Sequence, residues 1–129
     1  ADPQALCVAA AAAQAVERVG MPEAQIILSQ AVTYMACAPK SNSAVNAIFA
    51  AMDSVKKTHT TVPVHLQDAH YGGHEKLGKG IGYKYAHDYP NHYVDQQYLP
   101  SEIRGEHFYE LSDMGYEKTL KEYMKHIRS

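Results

Sequence analysis

Tryptophan is absent from this chain, and no apolar run approaches the ~20 residues that a membrane-spanning helix needs. The alanine stretch from Ala9 to Ala13 is too short and too small in side-chain volume to be a signal-peptide core. No basic segment precedes it and no cleavage pattern follows, so no targeting sequence is read. Cysteine is scarce. Cys7 and Cys37 lie in separate apolar segments without CxxC spacing, which predicts two small buried hydrophobes in a reduced, cytosolic protein rather than a disulfide or zinc motif. A surplus of positive charge is also missing. The formal net charge is −2 with eight histidines counted as neutral. Along residues 1–70, Arg18, Lys40, Lys56 and Lys57 are offset by Asp2, Glu17, Glu23, Asp53 and Asp68, and the second half is similarly balanced. Nucleic-acid binding rests on phosphate neutralisation, so tight DNA binding by this chain alone is not expected. An initiator methionine is lacking too. The opening Ala1-Asp2-Pro3 predicts a piece excised from a longer protein, in which a missing motif says nothing about the parent.

What is present reads as one domain spanning residues 1–129, mainly α, with four predicted helices and a long irregular segment. Asp2 is a good N-cap and Pro3 suits the first helical position; Leu6, Ala9, Ala10, Ala13 and Val16 then share a face, and Gly20 supplies the stop. A second helix starts at Pro22-Glu23, carries Ile27, Ala31, Tyr34 and Met35 on one stripe and ends before Pro39. A third is launched by Ser41 or Asn42, with Val45, Ile48, Phe49, Met52 and Val55 as its stripe and Asp53–Lys57 as an i,i+4 pair. The last helix follows Gly115, with Tyr116, Leu120, Tyr123, Met124 and Ile127 in its stripe and Glu117–Lys121 as its supporting pair.

Between Thr58 and Met114, Pro63, Pro90 and Pro100 break helix and glycines permit turns. A structureless stretch of that length is unusual inside a compact domain. Tyr71, Tyr83, Tyr85, Tyr89, Tyr93, Tyr98 and Tyr109 all fall in it, and tyrosine rings can pin irregular backbone by burial. An ordered, irregular wrap follows, with a short strand pair or helical turns, one of them beginning at Pro100-Ser101-Glu102-Ile103.

Three kinds of chemistry come up for weighing. Gly73-His74-Glu75-Lys76-Leu77-Gly78-Lys79-Gly80 matches a phosphate loop until its last position, where Gly80 replaces the hydroxyl that holds magnesium. His70 and His74, with Glu75 and the more distant His59, His65, His87 and His92, suggest a metal-dependent enzyme. The two glycines between His70 and His74 argue instead for structural or surface histidines. The run Tyr83-Lys84-Tyr85-Ala86-His87-Asp88 mixes aromatic and basic groups as single-strand binders do, but Asp88 and near-neutral surroundings favour packing over a DNA-binding module.

Several stretches together carry a resemblance: Val19-Gly20-Met21-Pro22-Glu23, Ala31 to Tyr34 leading into Ala36-Cys37-Ala38-Pro39-Lys40-Ser41-Asn42, Val62-Pro63-Val64-His65-Leu66, Gly82 to Asp88, and Gln96-Gln97-Tyr98-Leu99-Pro100. In order and over nearly the whole chain, they resemble the C-terminal domain of the MgsA or replication-associated recombination protein A family, whose eukaryotic counterpart is the Werner-helicase-interacting ATPase. The resemblance implies a clamp-loader-like, helical C-terminal domain of a bacterial AAA+ ATPase that acts in replication, recombination and repair at stalled forks. It implies assembly of subunits as homotetramers, DNA and single-strand-DNA-binding protein as partners of the whole molecule, and a cytoplasmic, nucleoid-associated location without membrane contact. ATP and magnesium belong, on this resemblance, to an N-terminal module outside the chain, which itself takes no cofactor and no metal and carries no catalytic residue. Pro39, Lys40, Ser41, Asn42, Tyr83, Tyr85, His87, Asp88, Gln97, Tyr98 and Pro100 stand at its motif positions, with structural or interaction roles.

Overall fold

A computed structural model of the chain describes residues 1–68 and 80–129. The phosphate-loop-like run, His70, His74 and Tyr71 lie outside the described residues, apart from Gly80. Four α-helices follow in order: α1 (Gln4–Val19), α2 (Ala24–Cys37), α3 (Ser43–Lys57) and α4 (Gly115–Arg128). Among the described residues there is no strand. The chain is mainly α, as its sequence pattern implies. Short 3-10 turns at Val64–Leu66, Ala86–Asp88, Pro90–His92 and Ser101–Ile103 punctuate the long segment, the last of them where Pro100 predicts one.

The chain divides into two compact units. One comprises Ala1–Ser43 and Leu111–Lys125; the other comprises Ala44–Glu110 and His126–Ser129.

In the first unit α1 and α2 pack against each other as a helical hairpin. Asp2 caps α1 through Oδ1, which accepts the Gln4 N–H at 2.9 Å. Gly20 ends the helix with φ of 72°, a left-handed value that a side chain would resist, and its N–H reaches the Val16 carbonyl. The α2 residues turned inward are Ala24, Ile27, Ala31, Tyr34 and Met35, so its expected stripe is observed. α1 differs. Its inward residues are Ala5, Val8, Ala12, Ala15 and Val16, whereas Leu6 is 78% exposed and Ala9, Ala10 and Ala13 face water. Alanine and valine let two backbones approach closely, and Leu6 would hold them apart.

A similar reversal occurs in α3. Val45, Ile48, Phe49, Met52 and Val55 are each 43–65% exposed. The helix turns Ala47, Ala51 and Ser54 inward instead. The Asp53–Lys57 pair forms on its surface. In the second unit the buried apolar residues are Val94 and Ile103. Among the described tyrosines of this segment Tyr93 is half-buried, but the others do not perform the burial expected of them: Tyr85 and Tyr98 are each 55% exposed, and Tyr83, Tyr89 and Tyr109 are exposed as well. Backbone hydrogen bonds in the 3-10 turns order this segment where ring burial was expected. Cys7 and Cys37 are free and exposed, not buried, because Cys7 shares the outward face of α1 and Cys37 ends α2.

Candidate functional site

A buried side chain that receives three hydrogen bonds is Glu117, in the first turn of α4. It stands three residues before Leu120 on the inward stripe that continues through Met124 and Ile127, and it is only 7% exposed. A carboxylate in that position must be satisfied from within. Ser41 donates its hydroxyl to Oε1 at 2.6 Å, and Ser43 donates to Oε2 at 3.0 Å. The Ser112 N–H donates to Oε2 at 2.8 Å. The two serine oxygens also lie 2.9 Å apart. Each hydroxyl carries one proton, and both protons are committed to the carboxylate, so that contact adds no further donor. Ser41 still has lone pairs and accepts the Ser43 N–H at 3.0 Å, which orders the start of α3. The carboxyl is held down from 4.5 to about 2, first by the Ser41 hydroxyl and next by the Ser112 N–H, against the opposing effect of burial. The expected Glu117–Lys121 pair is replaced: Lys121 reaches Asp113 at 2.9 Å and draws its carboxyl down.

Neighbouring contacts fasten the same unit. Lys40 folds back over the end of α2, with Nζ donating to the carbonyls of Met35, Ala36 and Ala38 at 2.8, 3.1 and 2.6 Å. A cation there meets both the unpaired carbonyls and the negative end of the helix dipole. Tyr34 donates its hydroxyl to Asp2 Oδ2 at 2.6 Å, joining α2 to the cap of α1; that bond raises the phenol pKa. Gly115 has φ of 50°, and a Cβ there would lie 2.6 Å from both the Ala1 carbonyl oxygen and Pro39 Cγ. The Pro39-Lys40-Ser41-Asn42 motif is therefore a junction: Pro39 abuts Gly115, Lys40 caps α2, Ser41 holds Glu117 and Asn42 is exposed.

In the second unit the motif residues make a different pattern. The Gln96 side chain acts as a surrogate strand for Lys84, accepting its N–H at 3.1 Å through Oε1 and donating to its carbonyl at 2.9 Å. The same amide donates to the Tyr98 hydroxyl at 3.1 Å. Gln97 donates to the Leu99 carbonyl at 2.9 Å and the Ser101 hydroxyl at 3.2 Å, while its own carbonyl accepts from His65 Nε2 at 2.7 Å. Pro100 accepts the Ile103 N–H at 3.1 Å, and the Asp88 N–H closes a turn on Tyr85. Tyr85, His87 and His92 form a tilted run of rings with successive centroids 5.0 Å apart. Tyr83 is half exposed beside them in sequence. His65, Lys84, Gln96, Tyr98, Arg104 and His107 line an open cavity of about 800 Å³. Among the described residues no three His, Cys, Asp or Glu side chains converge as metal ligands.

From sequence Glu117 is expected only as the ion partner of Lys121, and its clustering with Ser41 and Ser43 is not. The signal that locates Glu117 is its register: it continues the 120, 124, 127 stripe backwards by one turn. Chemically, a carboxyl with pKa about 2 is a weak proton acceptor at neutral pH, and its three bonds hold two serine hydroxyls and one backbone N–H. The cluster is a fastening.

Fold and polar clusters together define a mainly helical chain whose ionisable and amide groups organise backbone. Over residues 1–128 the chain matches the family described as MgsA AAA+ ATPase C terminal, and it belongs to that family. It is 45% identical over 124 residues to replication-associated recombination protein A of Bacillus subtilis, covering 95% of this chain and 30% of that protein. The Escherichia coli K12 protein of the same name is 40% identical, covering 95% and 28% respectively. ATPase WRNIP1 of Dictyostelium discoideum is 38% identical over 112 residues, covering 85% of this chain and 13% of its own length. The chain thus spans less than a third of the length of these relatives. No helix among the described residues is long and apolar enough to cross a membrane.

Proposed function

We propose that this chain is the subunit-assembling domain of an AAA+ ATPase that acts in DNA replication, recombination and repair at stalled forks, and that it joins subunits into a homotetramer. The observation that carries the reading is the set of apolar residues left open on three helices: Leu6 on α1, Ile26 and Val32 on α2, and the five-residue stripe of α3. Monomeric proteins rarely leave such faces uncovered. The names of the relatives support the setting: two are replication-associated recombination proteins and one is an ATPase. On this reading ATP, magnesium and hydrolysis belong to other parts of the parent protein. DNA and single-strand-DNA-binding protein are partners of the whole molecule, in the cytoplasm at the replication fork. Light scattering of the chain across a concentration range tests the proposal. Self-association at micromolar concentration is the expected result, and a strictly monomeric chain up to several hundred micromolar contradicts it.

A second reading has its own observation. The rings of Tyr83, Tyr85 and Tyr98 are half exposed, as stacking on bases in a DNA-binding module requires. Lys84 between them is turned onto the Asp95 carbonyl at 3.1 Å, away from a phosphate role. Salt-dependent binding of single-stranded DNA by the chain, lost in Tyr85→Ala, would establish this reading.

A further inference from the structure

The outward stripe of α3 has the spacing of a helix-pairing seam. Val45, Ile48, Met52 and Val55 are separated by three, four and three residues, the a–d–a–d pattern by which two helices interlock side chains. Phe49 flanks them and is the most exposed of the five. Beside it a shallow groove is lined by Phe49, Ala50, Met52, Asp53 and Lys56, the kind of hole that accepts a side chain from a facing helix. The half-buried residues in the body of α3 are instead Ala47, Ala51 and Ser54.

We propose that α3 pairs antiparallel with α3 of a second copy of this chain, and that this is one of the contacts through which the assembly proposed above is made. Antiparallel pairing about a two-fold axis at the level of Ala50 sets Val45 against Val55 and Ile48 against Met52, so the seam is complementary to itself. A two-fold contact demands that property, because each surface meets an identical one. Charge selects the direction. The helix half from Ser43 to Ala50 carries no charged residue, whereas Asp53, Lys56 and Lys57 crowd the other half. Antiparallel pairing lays each charged half along the neutral half of the other copy and aligns the helix dipoles favourably. Parallel pairing would bring together the two charged ends, each carrying Lys56 and Lys57. Lys56 lies on the outward side at the end of the stripe, where its methylene stem covers apolar surface and its ammonium stays in water.

The size of the contact fits one element of a larger assembly. Five side chains exposed to this degree present about 450 Å² of apolar surface per copy, or about 900 Å² over two, near the lower bound of ~1,000 Å² for a specific interface. The pairing therefore brings two copies together with a moderate dissociation constant and leaves the open apolar residues of α1 and α2 to a further contact.

The inference rests on the assembly reading, and the test separates the two. Sedimentation equilibrium of the full chain is compared with that of the double variant Phe49→Glu, Met52→Glu. Both positions face water in the single chain, so helix content by circular dichroism should be unchanged. The expected result is that the dissociation constant for pairing rises by at least about 30-fold, as when charge replaces large apolar side chains in an interface. If the unmodified chain associates and the double variant does so equally well, the α3 pairing is wrong while assembly stands. If the unmodified chain is monomeric throughout, both fail. Direction is read separately by disulfide trapping in a Cys7→Ser, Cys37→Ser background. Antiparallel pairing predicts that chains carrying Ile48→Cys cross-link efficiently to chains carrying Met52→Cys and poorly to themselves. Preferential self-linking of either variant would overturn the proposed geometry.

Discussion

Replacing Glu117 by glutamine keeps the volume of the side chain and removes one acceptor. The carboxylate receives three hydrogen bonds, two of them on Oε2. A glutamine can place its carbonyl oxygen where Oε2 was and serve Ser43 and Ser112, but its NH2 then points at Ser41. Ser41 must turn its own proton away and accept, although it already accepts the Ser43 N–H. One charge-assisted bond is lost and two become neutral, which predicts destabilisation of about 2–3 kcal/mol. The depressed acidity gives an independent figure. A fall from 4.5 to about 2 corresponds to about 3 kcal/mol of preference for the ionised form in the folded chain, before allowance for screening by water. The sign follows from that depression: the folded chain binds the proton less readily than the unfolded chain does. The stabilisation is therefore complete above pH 4.5 and is lost as pH falls towards 2. Urea unfolding followed by circular dichroism, repeated at intervals from pH 7 to pH 2, measures both effects. The unmodified chain should lose stability across that acid window, and Glu117→Gln should start lower and lose markedly less. Equal midpoints at pH 7 together with parallel acid limbs would refute the fastening role of the cluster.

Other substitutions carry distinct signs. Gly115→Ala should destabilise by about 2–4 kcal/mol in a thermal melt, since a methyl group at φ of 50° would sit 2.6 Å from the Ala1 carbonyl oxygen and Pro39. Ser54→Ala should leave stability unchanged or raise it by about 1 kcal/mol in the same assay, because the buried Ser54 hydroxyl has no hydrogen-bond partner. Lys40→Met should lower the melting temperature and loosen the end of α2, read as faster amide exchange near Ala38, because three carbonyls lose their cation. Tyr98→Ala should cost less than ~1.5 kcal/mol in urea unfolding, well below the deletion of a buried aromatic, given its 55% exposure.

The helices were legible in the sequence from caps, breakers and periodicity, and on α2 the inward side chains were legible too. On α1 and α3 the pattern marked an apolar face without indicating what covers it. Alanine lies on every side of α1, so its periodicity hardly distinguishes faces, and Leu6 drew the choice to the exposed one. On α3 the larger side chains formed the more regular stripe, while the contacts within the chain are made by Ala47, Ala51 and Ser54. Hydrophobic periodicity records avoidance of water; it does not record whose atoms replace the water. The motif around Pro39 to Asn42 was visible as a string, but its purpose was not, because Ser41 acts on a carboxylate 76 residues away. Local spacing carries no information about such a partner. Tyrosine enrichment suggested burial of rings, whereas the side-chain amides of Gln96 and Gln97 do much of the organising in that segment.

The bond from Ser41 to Glu117 has a temporal side. The first unit is assembled from two stretches of chain separated by residues 44–110. Bringing its ends together closes a loop of nearly 70 residues, an entropic charge of about 4 kcal/mol that no contact within the α1–α2 hairpin offsets. On a ribosome the hairpin emerges before α4 and must wait, with Ser41 and Ser43 lacking their carboxylate, until α4 has been synthesised. For that interval the growing polypeptide is half a unit with polar donors seeking an acceptor. A chain cut between Glu110 and Leu111 would stay there permanently, as a substrate for quality-control proteases.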